Sequence, residues 1–148
     1  MKLFVLAALL AVTAAACSGD SETPTSPSAP SANVPYATVD LRVGTGAEAV
    51  TGRVVAVDYT GWLYSASAAD NKGLRFDSSL DAGKQPFVLV AGGNTAITGF
   101  SQAVVGMRVG GQRRVTIPPS LGYGAQANGQ IPGNSTLIFE IELLAIQP

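Results

Sequence analysis

Histidine is absent from the 148 residues of the chain, and Cys17 is its sole cysteine. Without histidine the chain cannot form a Ser-His-Asp or Cys-His nucleophilic site, or a zinc site with histidine ligands. A single cysteine excludes an intrachain disulfide and the cysteine-rich sites that hold zinc or iron-sulfur clusters. A metal site built from carboxylates alone is the remaining alternative, but the acidic residues are scattered and form no Asp-x-Asp loop. We therefore expect neither a metal nor a cofactor.

Charged residues are also scarce, at 13% of the chain with a formal net charge of −1. This composition predicts no basic face for nucleic acid. The hydrophobic fraction is 47%, which gives a chain of this length enough apolar side chains for one domain with an ordinary core. We expect a single folded domain that acts as a monomer.

The beginning of the chain has the order of a secretory signal peptide. Lys2 precedes an apolar run over residues 3–12, and small residues at Ala14 and Ala16 suit cleavage after residue 16. The apolar run is too short for a membrane-spanning helix. We predict that residues 1–16 are a signal peptide and that the protein is exported from the cytoplasm.

Cys17 directly follows the predicted cleavage point. The residues around it resemble a bacterial lipobox, although Ala14 stands where leucine is usual. We predict that Cys17 is lipidated and anchors the protein to a membrane of the cell envelope; the alternative is a free thiol at the start of a secreted protein. Residues 18–35 are rich in serine, threonine and proline and lack apolar periodicity. Residues 17–35 are therefore predicted to be the lipidated cysteine and a disordered tether.

The remainder of the chain predicts a sheet and one helix. Apolar and polar side chains alternate over residues 36–43, which predicts a half-buried strand. Further strands are predicted at residues 53–64, 112–117 and 137–146, and a polar loop at residues 65–73. An apolar stripe of helical spacing, two to three turns long, consists of Ile97, Phe100, Val104 and Met107. Several strands and one helix predict an α+β layout, with an antiparallel sheet wrapped over the helix.

Aromatic residues and one acid gather in residues 76–100. Phe76 and Asp77 precede a Ser-Ser turn signal, Phe87 begins an apolar strand, and Phe100 belongs to the predicted helix. One interpretation is an apolar pocket with one carboxylate. The other is an ordinary core strand followed by a core helix.

Seven segments occur in the order VDYTGWL, FDSS, PFVLV, ITGF, VGGQRRVTIP, GYGA and IPGNSTLIFEIELL. Together they resemble the FKBP-type peptidyl-prolyl isomerases, a family that binds macrolides such as rapamycin. The resemblance covers residues 36–148 and implies an FKBP-like α+β fold, in which an antiparallel sheet of five to six strands curls around one short helix. It implies peptidyl-prolyl cis-trans isomerase activity on proline-containing polypeptides, here in a bacterial lipoprotein form.

The resemblance also implies which residues form the site. It gives catalytic roles to Tyr59, Asp77 and Tyr123. It gives substrate-binding roles to Phe76, Phe87, Ala96, Ile97, Phe100 and Phe139, with Phe100 at a floor position that is often tryptophan. The family's ion pair between this aspartate and an arginine has no expected counterpart, because the loop after FDSS offers only Lys84. The extra residues within 65–73 have no assigned role.

Rotation about a prolyl bond needs neither nucleophile nor metal, because no bond is cleaved; its barrier of about 18–20 kcal/mol comes from amide resonance. A dry aromatic pocket would favour the twisted amide, which has lost charge separation. Asp77 is predicted to orient Tyr59, to act on the amide, or to cap the following turn. Two other functions stay open: a non-catalytic chaperone or peptide-binding module, and a structural envelope lipoprotein.

Overall fold

The computed structural model describes residues 34–148. The predicted signal peptide, Cys17 and residues 18–33 of the predicted tether lie outside the described residues. Within residues 34–148, none of the helices has both the length and the hydropathy that a membrane crossing requires.

The described residues form six strands and one α-helix. The strands are β1 (Ala37–Arg42), β2 (Val54–Tyr64), β3 (Lys72–Ser78), β4 (Phe87–Val90), β5 (Gln112–Ile117) and β6 (Leu137–Ile146), and the helix is α1 (Thr98–Val104). Short 3₁₀ turns occupy Ala69–Asn71 and Pro119–Leu121. The strand order is β1-β5-β6-β2-β3, and every pairing is antiparallel. The predicted α+β fold, with an antiparallel sheet and one short helix, is confirmed.

Strands β2 and β6 form the centre of the sheet. They pair over most of their length, with Tyr59 opposite Ile141 and Gly61 opposite Phe139. The other edge of β2 is shared, because β4 pairs with its first half and β3 with its second half. Strand residues alternate between two faces, so the buried side chains of both strands point to the concave side, where the core lies. These fully buried residues include Val55, Val57, Ile141 and Leu143.

Helix α1 packs against the concave face over β5 and β6. Its seven residues make two turns, and Phe100 and Val104 are buried beneath it. Ile97 and Met107, the outer members of the predicted stripe, flank the helix instead of belonging to it. The helix ends before Met107 because Val105 already has an extended backbone.

The prediction that residues 36–43 form a half-buried strand is wrong about burial. All six residues of β1 are exposed, and Val39 and Leu41 keep 57% and 42% of their surface accessible. Strand β1 is an edge strand whose one neighbour is β5, and the short α1 does not extend over it. A register shift between Asp40 and Arg42 also interrupts the alternation. The sequence pattern predicted the strand, but burial depends on what covers it.

The loop predicted at residues 65–73 is shorter in the structure, because Lys72 and Gly73 already belong to β3. An ion-pair network on the face of the sheet away from the core connects Asp70 of this loop and Lys72 of β3 to β5 and β6. Glu140 Oε1 accepts hydrogen bonds from Lys72 Nζ at 2.9 Å and from Arg114 Nε and Nη2 at 3.0 and 2.8 Å. Arg114 also pairs with Asp70 at 3.2 Å, and Lys72 lies 4.7 Å from the centre of the Trp62 ring. Burial alone would raise the pKa of the Glu140 carboxyl, but the hydrogen bonds from Lys72 and Arg114 lower it. The loop is thereby tied to β5 and β6.

Replacing Glu140 with glutamine should lower the free energy of unfolding at neutral pH by about 1–2 kcal/mol, since three charge-assisted hydrogen bonds are weakened. The pKa is depressed in the folded state, so this stabilisation is present above the ordinary glutamate pKa of about 4.3 and is lost as the pH falls through the lower folded value. The difference between Glu140→Gln and wild type should therefore shrink in acid. Denaturant titrations at several pH values measure it.

Glu142 provides the matched control, because it is also a β6 glutamate paired with an arginine. Its side chain is 40% exposed and its partner Arg42 is 54% exposed. Glu142→Gln should change the free energy of unfolding by less than about 0.5 kcal/mol, because exposed ion pairs contribute little. Equal losses for the two variants, or a Glu140→Gln difference that is constant with pH, would contradict the role given to the network.

Candidate active site

A cavity of about 280 Å³ opens on the concave side of the sheet, next to the start of α1. Ten residues line it: Tyr59, Phe76, Asp77, Phe87, Thr95, Ala96, Ile97, Phe100, Tyr123 and Phe139. The structure therefore brings together all nine pocket residues named from the sequence. Thr95 was missed, and its one signal was its position directly before Ala96. Cys17 lies outside the described residues.

The lining residues come from separate parts of the chain, and the sheet register places them together. Tyr59 lies on β2 and Phe139 on the neighbouring β6, with both side chains on the concave face. The outer strands contribute Phe76 and Asp77 from β3 and Phe87 from β4; the remaining lining residues lie on α1, the turn before it and the loop after β5.

Five aromatic rings form the wall and floor of the cavity. Phe100 and Phe139 are almost fully buried, with ring centres 5.2 Å apart at 90°. Tyr59 packs against both rings at 5.6 and 6.0 Å. Phe76 meets Phe139 at 5.5 Å, and Phe87 meets Phe100 at 6.0 Å. Edge-to-face contacts of this kind favour one arrangement of rings, so the apolar surface is fixed before any ligand binds.

A missing side chain makes room for these rings. Gly61 lies on β2 directly opposite Phe139. A Cβ atom at Gly61 would lie 2.6 Å from Phe76 Cζ and 2.7 Å from Phe139 Cε1, closer than carbon atoms approach. The two rings therefore occupy the space above the glycine.

Asp77 orients Tyr59 inside the cavity. The Tyr59 hydroxyl donates a hydrogen bond of 2.6 Å to Asp77 Oδ2. Burial raises the pKa of Tyr59, and the bond to Asp77 and its negative charge raise it further. The hydroxyl therefore stays neutral and remains a donor. Asp77 Oδ1 also accepts from the Ser78 backbone N–H at 2.9 Å, so the geometry includes both the orienting contact and the turn contact.

The family's aspartate–arginine ion pair, for which no counterpart was expected beyond Lys84 of the following loop, does have one. The Lys84 ammonium contacts Asp77 Oδ1 from across the loop between β3 and β4. Burial raises the pKa of Asp77, but the hydrogen bonds from Lys84 and Tyr59 outweigh this effect and hold the pKa below its usual value. Gly83, directly before Lys84 in this loop, has φ +80°, a conformation that suits glycine. Lys84 thus takes the place of the arginine that the family resemblance implied.

Several hydrogen-bond donors at the cavity have no partner within residues 34–148, and two of them belong to residues already named for the site. The Tyr123 hydroxyl makes no hydrogen bond there, and neither does the backbone N–H of Ile97. Buried or half-buried donors normally have acceptors. Both groups are therefore available to carbonyl oxygens of a ligand.

A second cavity of about 300 Å³ continues the first one past Tyr123. It shares Phe76, Asp77 and Tyr123 with the first cavity and is otherwise lined by Asn128, Gly129, Gln130 and Ile131. The two cavities together form a groove long enough for residues on either side of a bound side chain. Among the described residues, no group of three or more histidine, cysteine, aspartate or glutamate side chains is placed to hold a metal ion.

Comparison with known proteins gives a consistent family. The family model for FKBP-type peptidyl-prolyl cis-trans isomerases matches residues 46–144. The chain is 46% identical over 108 residues to an FK506-binding protein of Neisseria meningitidis serogroup A, covering 72% of this chain and 92% of the relative. It is 43% identical over 105 residues to FK506-binding protein 1 of Aspergillus oryzae, covering 70% and 90%.

Two solved structures are also similar to the chain. The crystal structure of AtFKBP13 has a TM-score of 0.64 and 34% identity, with coverage of 80% of this chain and 96% of that one. The crystal structure of FkpA from Escherichia coli has a TM-score of 0.62 and 31% identity, covering 76% and 48%.

Proposed function

Because the chain belongs to the FKBP-type peptidyl-prolyl cis-trans isomerase family, we propose that the cavity of five rings, Asp77 and Tyr123 is where it accelerates rotation about X-Pro bonds, without covalent chemistry. One observation carries this proposal: a cavity lined largely by aromatic rings has hydrogen-bond donors without a partner among the described residues, including the Tyr123 hydroxyl and the Ile97 N–H. The cavity suits the apolar proline ring, and the donors suit the carbonyls beside it.

The physical basis is the difference in polarity between the planar and the twisted amide. Resonance gives the planar amide charge separation, and this resonance is lost at the top of a barrier of about 18–20 kcal/mol. Water stabilises the polar planar form, whereas a cavity walled by Phe87, Phe100 and Phe139 does not. The twisted state is therefore stabilised relative to the ground state, as catalysis requires.

The two free donors would fix the chain on either side of the rotating bond. A carbonyl held by the Tyr123 hydroxyl and another held by the Ile97 N–H leave the prolyl bond as the part that turns. Asp77 acts through Tyr59, whose ring is held as one wall of the cavity by their 2.6 Å hydrogen bond. Lys84 holds the other oxygen of the Asp77 carboxylate and so restrains its orientation.

The test uses the full-length protein and a Leu-Pro or Phe-Pro peptide, with cis-to-trans conversion followed over time. We expect acceleration over buffer, and suppression by rapamycin, because the relatives are named as FK506-binding proteins and the same cavity would hold such a macrolide. A folded protein that binds the peptide but leaves its rate equal to that in buffer would instead support a peptide-binding chaperone.

Tyr123→Phe should lower kcat/KM by about two- to fivefold, since one hydrogen bond to a substrate carbonyl contributes about 0.5–1 kcal/mol net. The hydroxyl has no partner within residues 34–148, so the fold should keep its stability. Thermal unfolding of the variant provides the control. Unchanged kcat/KM in a stable Tyr123→Phe protein would remove Tyr123 from the mechanism.

We also propose where in the cell the protein acts. The pattern of residues 1–16 and the position of Cys17 support export and a lipid anchor at the bacterial cell envelope. Residues 18–35 would then let a monomeric isomerase domain act on exported polypeptides near the membrane surface. Intact-mass measurement of the mature protein tests the anchor: a mass without acyl chains would remove it.

A further inference from the structure

A row of ion pairs extends outward from the pocket along the loop between β3 and β4. The Lys84 ammonium contacts Asp77 Oδ1 and lies 3.8 Å from Asp81 Oδ2. The other oxygen of Asp81 contacts the guanidinium of Arg75, a residue of β3. Arg75 lines neither cavity of the site.

We propose that Arg75 is a positioning residue for the isomerase site: by pairing with Asp81 it leaves the Lys84 ammonium to Asp77. This inference rests on the proposed function, and it adds a residue that touches no substrate. The row then reads from outside to inside as Arg75, Asp81, Lys84, Asp77 and finally Tyr59.

Asp77 and Asp81 compete for one cation, the Lys84 ammonium. The Lys84 backbone N–H donates to the Asp81 carbonyl at 3.0 Å, so the turn holds Asp81 beside Lys84. Both carboxylates are therefore within reach of the ammonium. Arg75 and Lys84 are the partners of Asp81 among the described residues. Without Arg75, Asp81 would compete with Asp77 for Lys84.

The loss of Lys84 would change the surroundings of the Asp77 carboxylate. The groups that face it are the Tyr59 hydroxyl from β2, the Ser78 N–H, Lys84, and Tyr123 from the loop after β5. Lys84 is the one cation in this set. When Lys84 turns toward Asp81, the Asp77 carboxylate loses its charge partner and its pKa rises. The carboxyl group is then held from fewer sides and can change its orientation, so it no longer fixes the Tyr59 hydroxyl in one position.

The side chains in this row are 36–47% exposed, so each change should be small. Arg75→Ala should lower kcat/KM for a prolyl peptide by about threefold, within the range of exposed ion pairs. It should also raise the pKa of Asp77, followed by NMR of the carboxyl carbon. Arg75→Lys should restore both values.

The decisive comparison repeats Arg75→Ala in an Asp81→Asn background, using full-length protein throughout. If Arg75 acts by occupying Asp81, the replacement should then change neither kcat/KM nor the Asp77 titration. An equal effect in both backgrounds, or an Asp77 titration that Arg75→Ala leaves unchanged, overturns the proposal. The titration needs no turnover, so it decides the inference even if the wild type fails to accelerate isomerisation.

Arg108→Ala is the matched control. Arg108 also forms one exposed ion pair, with Glu48 at 3.2 Å, and its side chain is 48% exposed, as for Arg75 at 47%. It lies outside both cavities of the site. Its loss should leave kcat/KM and the Asp77 titration at their wild-type values, and a threefold loss here would show that any exposed ion pair has the same effect.

Discussion

Replacing Phe100 with alanine should lower kcat/KM for a prolyl peptide by about tenfold or more, which corresponds to about 1.4 kcal/mol or more of lost transition-state stabilisation. Phe100 is 3% exposed and its ring meets those of Tyr59, Phe87 and Phe139 at 5.2–6.0 Å. Its removal opens the floor of the cavity beside all three rings and admits water. Water then stabilises the planar amide again, and the barrier rises.

The variant will also lose stability, by about 3–5 kcal/mol for a buried phenylalanine, so activity must be compared per folded molecule. Met107→Ala is the matched control, because Met107 is equally buried at 3% exposure but lines neither cavity of the site. Phe100→Leu keeps more apolar volume and is the second variant if Phe100→Ala unfolds. Equal losses of activity per folded molecule in Met107→Ala and the Phe100 variants would contradict a specific role for the ring.

Replacing Gly61 with alanine should both destabilise the fold by about 1–3 kcal/mol and lower kcat/KM by about tenfold. The added methyl would lie within 2.8 Å of the Phe76 and Phe139 rings. Both rings pack in the wall of the cavity, so at least one must move to relieve the contact. Denaturant unfolding and the prolyl peptide assay measure the two effects.

Ala56 offers a comparison on the same strand, because it already carries a methyl group and pairs with Val88 and Ala145, away from the pocket. Ala56→Gly should cost stability through backbone entropy and leave kcat/KM per folded molecule unchanged. A stable and fully active Gly61→Ala protein would mean that the rings adjust without cost, and would remove ring placement as a requirement for activity.

Much of the fold could be predicted from local pattern. The strand predicted at residues 137–146 agrees with β6, which lies between two other strands and beneath α1. The burial predicted for residues 36–43 was wrong for β1, since alternation indicates which side chains share a face and not whether anything covers that face. Val39 and Leu41 therefore stay exposed at the edge of the sheet.

Site residues that belong to a family motif could be predicted from the sequence. Contacts that depend on the three-dimensional arrangement of the loops and strands could not. The rings and Asp77 belong to recognisable motifs, and in the structure they line one cavity. The ion pair between Lys84 and Asp77 was missed because it depends on the conformation of the loop that contains Gly83. The contact between Asp70 and Arg114 was missed because these residues are far apart in the sequence. Such long-range contacts leave little trace in local sequence.

The position of β6 has a consequence for the newly synthesised chain. It is the last of the six strands to leave the ribosome, yet its place in the sheet is between β5 and β2. Phe139 arrives with it, so the aromatic lining of the cavity is incomplete until this strand has docked. Catalytic competence would therefore mark completion of the sheet, and a nascent isomerase could not act on prolines of its own unfinished domain.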